Sequence, residues 1–218
     1  LDKKLLNLQS QHWESNFSSK PEMFGLEPSY SAKKSLEIFK KYNIKNILEL
    51  GAGLGRDTIY FANNNIKVYA LDFSPCAIDT INKKSKKLGL DELITAEVFD
   101  IRKDFTFIEK NFDGCYSHML YCMALTLNEL ETLNYKINLK LKEDGINIYT
   151  VRNTSDGDFQ KGSHIGEDLY EMNGFIVHFF SDEKIKKLLN GYKNLKIIRF
   201  DEGNFPRRLS MVINQKTS

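Results

Sequence analysis

The chain has 218 residues, 41% of them hydrophobic, 12% aromatic and 28% charged. That is the composition of one soluble domain with its own core, and it excludes disordered and collagen-like classes. Lys and Arg number 31 against 29 Asp and Glu, so a formal net charge of +2 supplies no field for holding a nucleic-acid backbone.

No run approaches the roughly 18 uninterrupted apolar residues that a membrane span requires. The opening stretch LDKKLLNLQSQHWESNF lacks the apolar core of a secretory signal. The three cysteines, Cys76, Cys115 and Cys122, are odd in number and not paired in spacing, which points to a reducing compartment, the cytoplasm. Residues 1–43 read as an N-terminal cap and helix. Pro28 falls at a first helical turn, and Ala32, Leu36 and Phe39 recur at helical spacing toward Tyr42. Strands are expected at Ile44 to Leu50, Ile66 to Leu71, Leu93 to Phe99, Phe112 to Ser117 and Ile146 to Val151. Between them lie helices at Asp57 to Asn64, at Pro75 to Leu88 behind the cap Ser74 and before the stop Gly89, and at Leu127 to Leu141. The last has a capping box of Thr126 and Glu129 and is ended by Gly145. Residues 44–151 thus alternate strand and helix, with crossovers long enough to keep the strands parallel. Gly157 to Gly174 breaks that rhythm with four glycines and no clear period, so 152–180 reads as an irregular insertion. Residues 181–218 close the fold: Ser181 caps a helix ending near Gly191, and Leu195 to Phe200 pairs with Leu209 to Ile213 through Pro206. A single domain over 1–218 is the expected organisation, without internal repeats.

The stretch ILELGAGLGRDT carries the most chemistry. A strand ends at Leu50, glycines at 51, 53 and 55 let the backbone turn tightly against a ligand, and a helix starts directly behind. The spacing departs from the dinucleotide pattern G-x-G-x-x-G, and Glu49 stands before it. A pyrophosphate wants amides, whereas a ligand with an ammonium group wants an acid, which Glu49 supplies. Asp72 lies 21 residues after Gly51 at a strand end, where a carboxylate accepts both hydroxyls of a ribose. Asp100 ends the next strand and is followed by apolar Ile101, a pair suited to an adenine amino group and ring face.

These motifs resemble those of class I S-adenosylmethionine-dependent methyltransferases. ELGAGLGRDT is similar to that family's first motif, ALDFSPCAI to its second-strand acidic motif, VFDI to the third, and FDGCYSHML to the fourth-strand motif before the substrate pocket. Beyond that core, VRNTSDGDFQKGSHIGEDLYEMNGFIVHFFS resembles the matching stretch of small-molecule methyltransferases of the tellurite-resistance type. The resemblance implies an α/β, Rossmann-like, doubly wound sheet of seven mostly parallel strands with an antiparallel last strand and helices on both faces. It implies S-adenosyl-L-methionine as cofactor and S-adenosyl-L-homocysteine as product. It places Glu49, Gly51, Ala52, Gly53 and Gly55 at the methionine part, with Arg56 orienting the carboxylate. Asp72, Phe73 and Ser74 go to the ribose and adenosine, Asp100 and Ile101 to the adenine, and Ser117 beside the sulfonium.

Trp13, Phe17 and Tyr30 fall in the segment that folds over the cofactor in such enzymes, and Arg152 and Tyr170 in the segment facing the acceptor. His118, at the fourth-strand end, and His164, among glycines, are the candidate catalytic residues, whereas His178 within IVHFF reads as a packed strand residue. The run Lys83, Lys84, Lys86 and Lys87 reads as a solvated helix face. No C-x-x-C or H-x-x-x-H pair is present, so no metal is expected. The expected partner is a small-molecule acceptor, neither nucleic acid nor membrane, for a monomer or homodimer. A catalytically silent S-adenosylmethionine-binding module acting through a protein partner is the alternative of another class. An NAD-dependent oxidoreductase is the alternative enzyme, disfavoured by the glycine spacing and Asp100.

Overall fold

The computed structural model describes residues 3–20, 23–106, 111–203 and 207–217. In chain order, its first half holds α1 (Lys3–Ser19), α2 (Tyr30–Lys41), β1 (Asn46–Leu50), α3 (Arg56–Asn63), β2 (Lys67–Asp72), α4 (Pro75–Leu88) and β3 (Ile94–Val98). There follow β4 (Phe112–Ser117), α5 (Leu127–Lys140), β5 (Leu141–Asn153), β6 (Ser163–Gly166), β7 (Leu169–Met172), β8 (Phe175–Phe180), α6 (Asp182–Lys187), β9 (Tyr192–Glu202) and β10 (Arg207–Lys216). Among the described residues the sheet has ten strands, seven of which run in the order β3-β2-β1-β4-β5-β10-β9. The first five are parallel, and β10 runs antiparallel to both neighbours. This is the doubly wound arrangement expected of the sequence.

Ile47 to Leu50 are buried on both sides of the central strand, as a sheet covered on two faces requires. Alternation along the strand sends Ile47 into a layer with Phe39, Phe61 and Ile78 from α2, α3 and α4. Leu48 and Leu50 enter the opposite layer with Leu130, Leu133, Ile137 and Ile185 from α5 and α6. The end signals act locally. Ser74 Oγ accepts the Ala77 amide ahead of Pro75, Gly89 ends α4 at a φ of 67°, and Thr126 and Glu129 close their capping box.

Several boundaries differ from the sequence expectation. Pro28 stands outside α2, whose cap is Ser29, and α3 starts at Arg56 behind left-handed Gly55. Gly145 does not end α5. Leu141 already pairs with Phe112, and the chain bulges before Ile146 resumes the ladder opposite Gly114. The helix after Ser181 stops at Lys187, and the closing strands are longer than the 195–200 and 209–213 expected of them. Pro206, read as their connector, lies outside the described residues.

The largest correction concerns Gly157 to Gly174, which holds two strands, Ser163–Gly166 and Leu169–Met172. β6, β7 and β8 form an antiparallel meander, with positive φ at Gly162, Gly166, Glu167, Asn173 and Gly174 around its strand ends and turns. β8 then joins β5 in parallel at Arg152↔Phe179 and Asn153↔Phe180, where β4 has run out at Ser117↔Tyr149. The meander is thereby fixed beyond the carboxyl ends of the strands, the edge where doubly wound sheets take ligands.

Helix α1 crosses the same edge. Gln9 Nε2 donates to Gly174 O at 2.8 Å, and Gln9 Oε1 accepts from Ile176 N at 3.1 Å. At the other end Glu14 accepts from Ser74 Oγ and from Cys76 N, at the start of α4.

Candidate active site

Between α1, the glycine turn, the meander and the closing hairpin lies a cavity of about 510 Å³, within the range of small-molecule sites. Glu49, Gly51, Ala52, Gly53, Leu54, Asp72 and Phe73 line one end, under Trp13 and Phe17 from α1. His118, Met119, Met123, Arg152, Asp158, Met172, Phe175, Glu202 and Arg207 line the other.

The glycine turn is shaped for close approach. Gly53, at a φ of 53°, gives its amide to Asp72 Oδ2 at 2.8 Å, and a Cβ there would point at Phe17 across the cavity, 3.7 Å away. Gly55 has a different duty. A Cβ on it would come within 2.5 Å of Ile81 Cγ1, so its side packs against α4. Asp72 Oδ1 accepts the Ser74 amide at 2.9 Å. Burial raises the Asp72 carboxyl to about 6, against the pull of the two amides. Glu49 is buried, with Oε2 lacking any partner, and its burial together with the charges of Asp57 and Asp72 raises it well above the usual carboxylate range.

The end lined by His118 is held by a chain of polar groups. His118 Nδ1 lies 2.9 Å from Ser31 Oγ and 3.0 Å from Thr150 Oγ1, which already accepts the Met119 amide at 2.8 Å. Ser31 in turn touches the Tyr116 hydroxyl at 2.9 Å, and Tyr116 and Ser29 both donate to Asp57 Oδ2. On the other edge of the ring, His118 Nε2 is 3.3 Å from Glu202 Oε2. Glu202 Oε1 accepts from Arg56 at 3.1 Å, and Arg56 is anchored on Phe24 O at 2.8 Å.

Trp13, Phe17, Arg56, His118 and Arg152 therefore meet at one cavity with the glycine turn and Asp72. Other expected residues do not line it. Asp100 is gripped by Arg102, with Nη2 to Oδ2 at 2.7 Å, and neither it nor Ile101 faces the cavity. Ser74 is the buried cap of α4, and Ser117 Oγ is buried without a partner behind the lining. Tyr30 packs against Phe200, with ring centroids 4.7 Å apart and tilted by 37°, and does not line the cavity. His164 and Tyr170 pack together on the meander with ring centroids 4.9 Å apart and tilted by 35°, and the structure does not bring His164 to the cavity. His178 is packed as expected, with Nδ1 donating to Leu125 O and Nε2 2.8 Å from Lys184 Nζ, and burial lowers it to about 4. Lys84 departs from the solvated-face reading by reaching Leu54 O at 3.0 Å along the cavity wall.

The sequence reading missed Glu14, Asp57, Tyr116 and Glu202. For Asp57 a signal existed, an acid directly behind the glycine turn.

Residues 47–145 match the family model described as a methyltransferase domain. Phosphoethanolamine N-methyltransferase 1 of Triticum aestivum is 33% identical over 141 residues, 63% of this chain and 25% of that protein, so the chain spans about a quarter of the length of this curated relative. N-methyltransferase NodS from Bradyrhizobium japonicum, solved with S-adenosyl-L-homocysteine, superposes with a TM-score of 0.70 at 13% identity, over 96% of this chain and 98% of that one. TehB from Haemophilus influenzae superposes with a TM-score of 0.66 at 16% identity, over 94% of this chain and 67% of that one. Residues 47–145 are thus similar to a methyltransferase domain, and the chain has the fold of these methyltransferase structures. S-adenosylmethionine is the cofactor that this likeness implies. The residues present fit it: Gly51 and Gly53 line the cavity at positive φ, Glu49 brings a buried oxygen with no partner among the described residues for an ammonium group, and the Asp72 carboxylate stands at the sheet edge.

Proposed function

We propose that the protein transfers a methyl group from S-adenosylmethionine to a small-molecule acceptor. The observation that carries this reading is that one cavity is lined by the glycine turn, by Asp72 and by a histidine at the end of β4. Its volume and its wall of Met119, Met123, Met172 and Phe175 suit a compact, partly apolar acceptor. NodS, an N-methyltransferase, and the glycopeptide N-methyltransferase MtfA share the fold, which supports an acceptor of this general kind.

When bound, the cofactor supplies a methyl group on a sulfonium, so the carbon–sulfur bond is the one that breaks. The chain's own residues bind, align and seal. Gly51, Ala52 and Gly53 would hold the methionine part with Glu49 toward its ammonium, Asp72 would accept the ribose hydroxyls, and Phe73 would flank the adenosine. Trp13 and Phe17 close the roof against water and offer ring faces to a cation, an attraction of roughly 0.5 to 2 kcal/mol. Alignment of the acceptor is worth several kcal/mol of barrier. His118, on the acceptor side, receives a proton the acceptor releases. With two of the three free cysteines buried, we place the enzyme in the cytoplasm, acting as a monomer or homodimer.

Trp13 is the chain's single tryptophan and lines the cavity, so its emission reports occupancy. Titration with S-adenosylhomocysteine should quench it saturably, and labelled methyl should pass from S-adenosylmethionine to a component of a metabolite extract. Absence of both results defeats the proposal.

A further inference from the structure

The closing strands bring two arginines to one face of the sheet at the cavity. Leu209 stands opposite Arg152 across β10 and β5, and Arg207, two residues before Leu209, stands opposite Glu202 across β10 and β9. Directly opposed residues, and residues two apart along a strand, share a face, so these four side chains project together. All four line the cavity.

Their charges are unequally satisfied. Glu202 faces Arg207 across the ladder but pairs with Arg56 at 3.1 Å and lies 3.3 Å from His118. Arg152 is buried and gives Nε and Nη2 to Asp156, with Nη2 also reaching Asp158 at 2.6 Å. Its Nη1 has no acceptor among the described residues. The Arg207 side chain, which is exposed, has neither a hydrogen bond nor an ion pair among the described residues. Asp156 is already taken up by Arg152 and by the Asp158 and Arg208 amides, and the Arg208 side chain is bound to Ser155 O at 2.7 Å. Three arginines, 152, 207 and 208, thus stand against two carboxylates, Asp156 and Asp158, and Arg207 is a cation of that cluster that lines the cavity without a partner. Burial pushes the nearby Cys122 thiol up to about 11, and the charges of Arg152 and Arg207 both act against that rise, so the two guanidinium groups stand around the same stretch of wall.

Resting on the methyl-transfer reading above, we propose that Arg207, with Arg152 from the neighbouring strand, holds an oxyanion of the methyl acceptor, a carboxylate or a phosphate monoester. The acceptor is then an amphiphilic anion. Its charged group sits at Arg207, and its apolar body runs along Met119, Met123, Met172 and Phe175. A planar guanidinium offers two parallel donors to such a group, so it fixes direction as well as charge. Arg207 makes and breaks no bond. It sets which molecule is turned over and leaves cofactor binding to the glycine turn and Asp72.

The test uses Arg207→Gln and Arg207→Lys in the full chain. S-adenosylhomocysteine quenching of Trp13 should match wild type in both, which shows that they fold and hold the cofactor. For the extract component methylated by the wild type, KM should rise on the order of tenfold to a hundredfold in Arg207→Gln while kcat is nearly kept, as loss of a charge-assisted contact requires. Arg207→Lys should recover part of that loss. Two treatments of the extract before reaction separate the two kinds of oxyanion. Phosphatase should remove the acceptor if it is a phosphate monoester, and esterification in acidic methanol should remove it if it is a carboxylate, with mild base restoring it.

An unmoved KM in Arg207→Gln, a fall confined to kcat, no recovery in Arg207→Lys, or methyl transfer that survives both treatments would each overturn the proposal. Loss of wild-type quenching and transfer together would instead defeat the methyl-transfer reading.

Discussion

Replacing Asp72 with Asn exchanges a buried carboxylate for a neutral amide of the same shape, and the structure allows both consequences to be worked out. In the free protein Asp72 accepts the Gly53 and Ser74 amides, at 2.8 and 2.9 Å. Asn offers one oxygen and one NH2, so one of these buried amides loses its acceptor, at a cost of about 1–3 kcal/mol. Against this, burial raises the carboxyl from 3.8 to about 6. Each unit is worth about 1.4 kcal/mol, so keeping Asp72 ionised at pH 7 already costs the folded state about 3 kcal/mol relative to the unfolded chain. The two effects nearly cancel, and the melting temperature of the free variant at pH 7 should stay close to wild type. Binding has no such compensation. Two ribose hydroxyls lose a charged acceptor, and S-adenosylhomocysteine affinity should fall by about 1–3 kcal/mol, roughly 5- to 150-fold. Because the folded value is raised, the stability Asp72 contributes is complete below 3.8 and disappears as pH rises through about 6. Wild type should therefore gain on Asp72→Asn in chemical denaturation as pH is lowered, while the affinity advantage that Asp72 gives wild type over the variant shrinks through the same window. Trp13 quenching and denaturant midpoints across pH 4–8 measure both. An Asn variant that folds and binds S-adenosylhomocysteine at the wild-type affinity refutes the ribose assignment.

Further outcomes follow from neighbouring features. His178, lowered from 6.5 to about 4 by burial and Lys184, contributes stability that is complete above 6.5 and lost as pH falls toward 4, by about 3 kcal/mol. Denaturation of His178→Gln should lack that loss, and an equal loss in both proteins contradicts the packed, neutral histidine. This slope opposes that of Asp72, so each is read as the difference between wild type and its own variant. Gly55→Ala, with a φ of 80° and a Cβ 2.5 Å from Ile81, should lower the melting temperature by several degrees. Gly53→Val, facing the open cavity, should chiefly remove ligand binding, and calorimetry showing normal affinity would mean that the turn does not approach the ligand. Deleting residues before Ser19 removes Glu14, Gln9 and the aromatic roof, so methyl transfer should vanish, and turnover at the full rate would disprove the covering role of α1.

How much of this was legible in the sequence depends on how local the signals are. The β1–turn–α3 unit, Asp72 at the end of β2 and the caps at Ser74 and Thr126 are written in contiguous residues, and they fold as read. The meander was not legible because β6 and β7 have four residues each and their pairing depends on glycines and Asn173 at positive φ, which in sequence look like loop composition. Glu202 was missed for a related reason. The closing strand was read to end at Phe200, and the partner of Glu202, Arg56, lies 146 positions away. Acid residues at successive strand ends looked equivalent, yet Asp72 is sealed under α1 while Asp100 sits beside an arginine two residues on and is neutralised by it. Nothing in the spacing distinguishes those surroundings.

The central claim is that the glycine turn, Asp72 and His118 border one cofactor and acceptor cavity. A crystal structure of the protein with S-adenosylhomocysteine tests it most directly. The account predicts the ribose hydroxyls on the Asp72 carboxylate, the amino-acid end against Gly51, Gly53 and Glu49, and the sulfur turned toward the end of the cavity that His118 lines. A ligand bound elsewhere, or in this cavity with Asp72 still facing only Gly53 and Ser74, would contradict it.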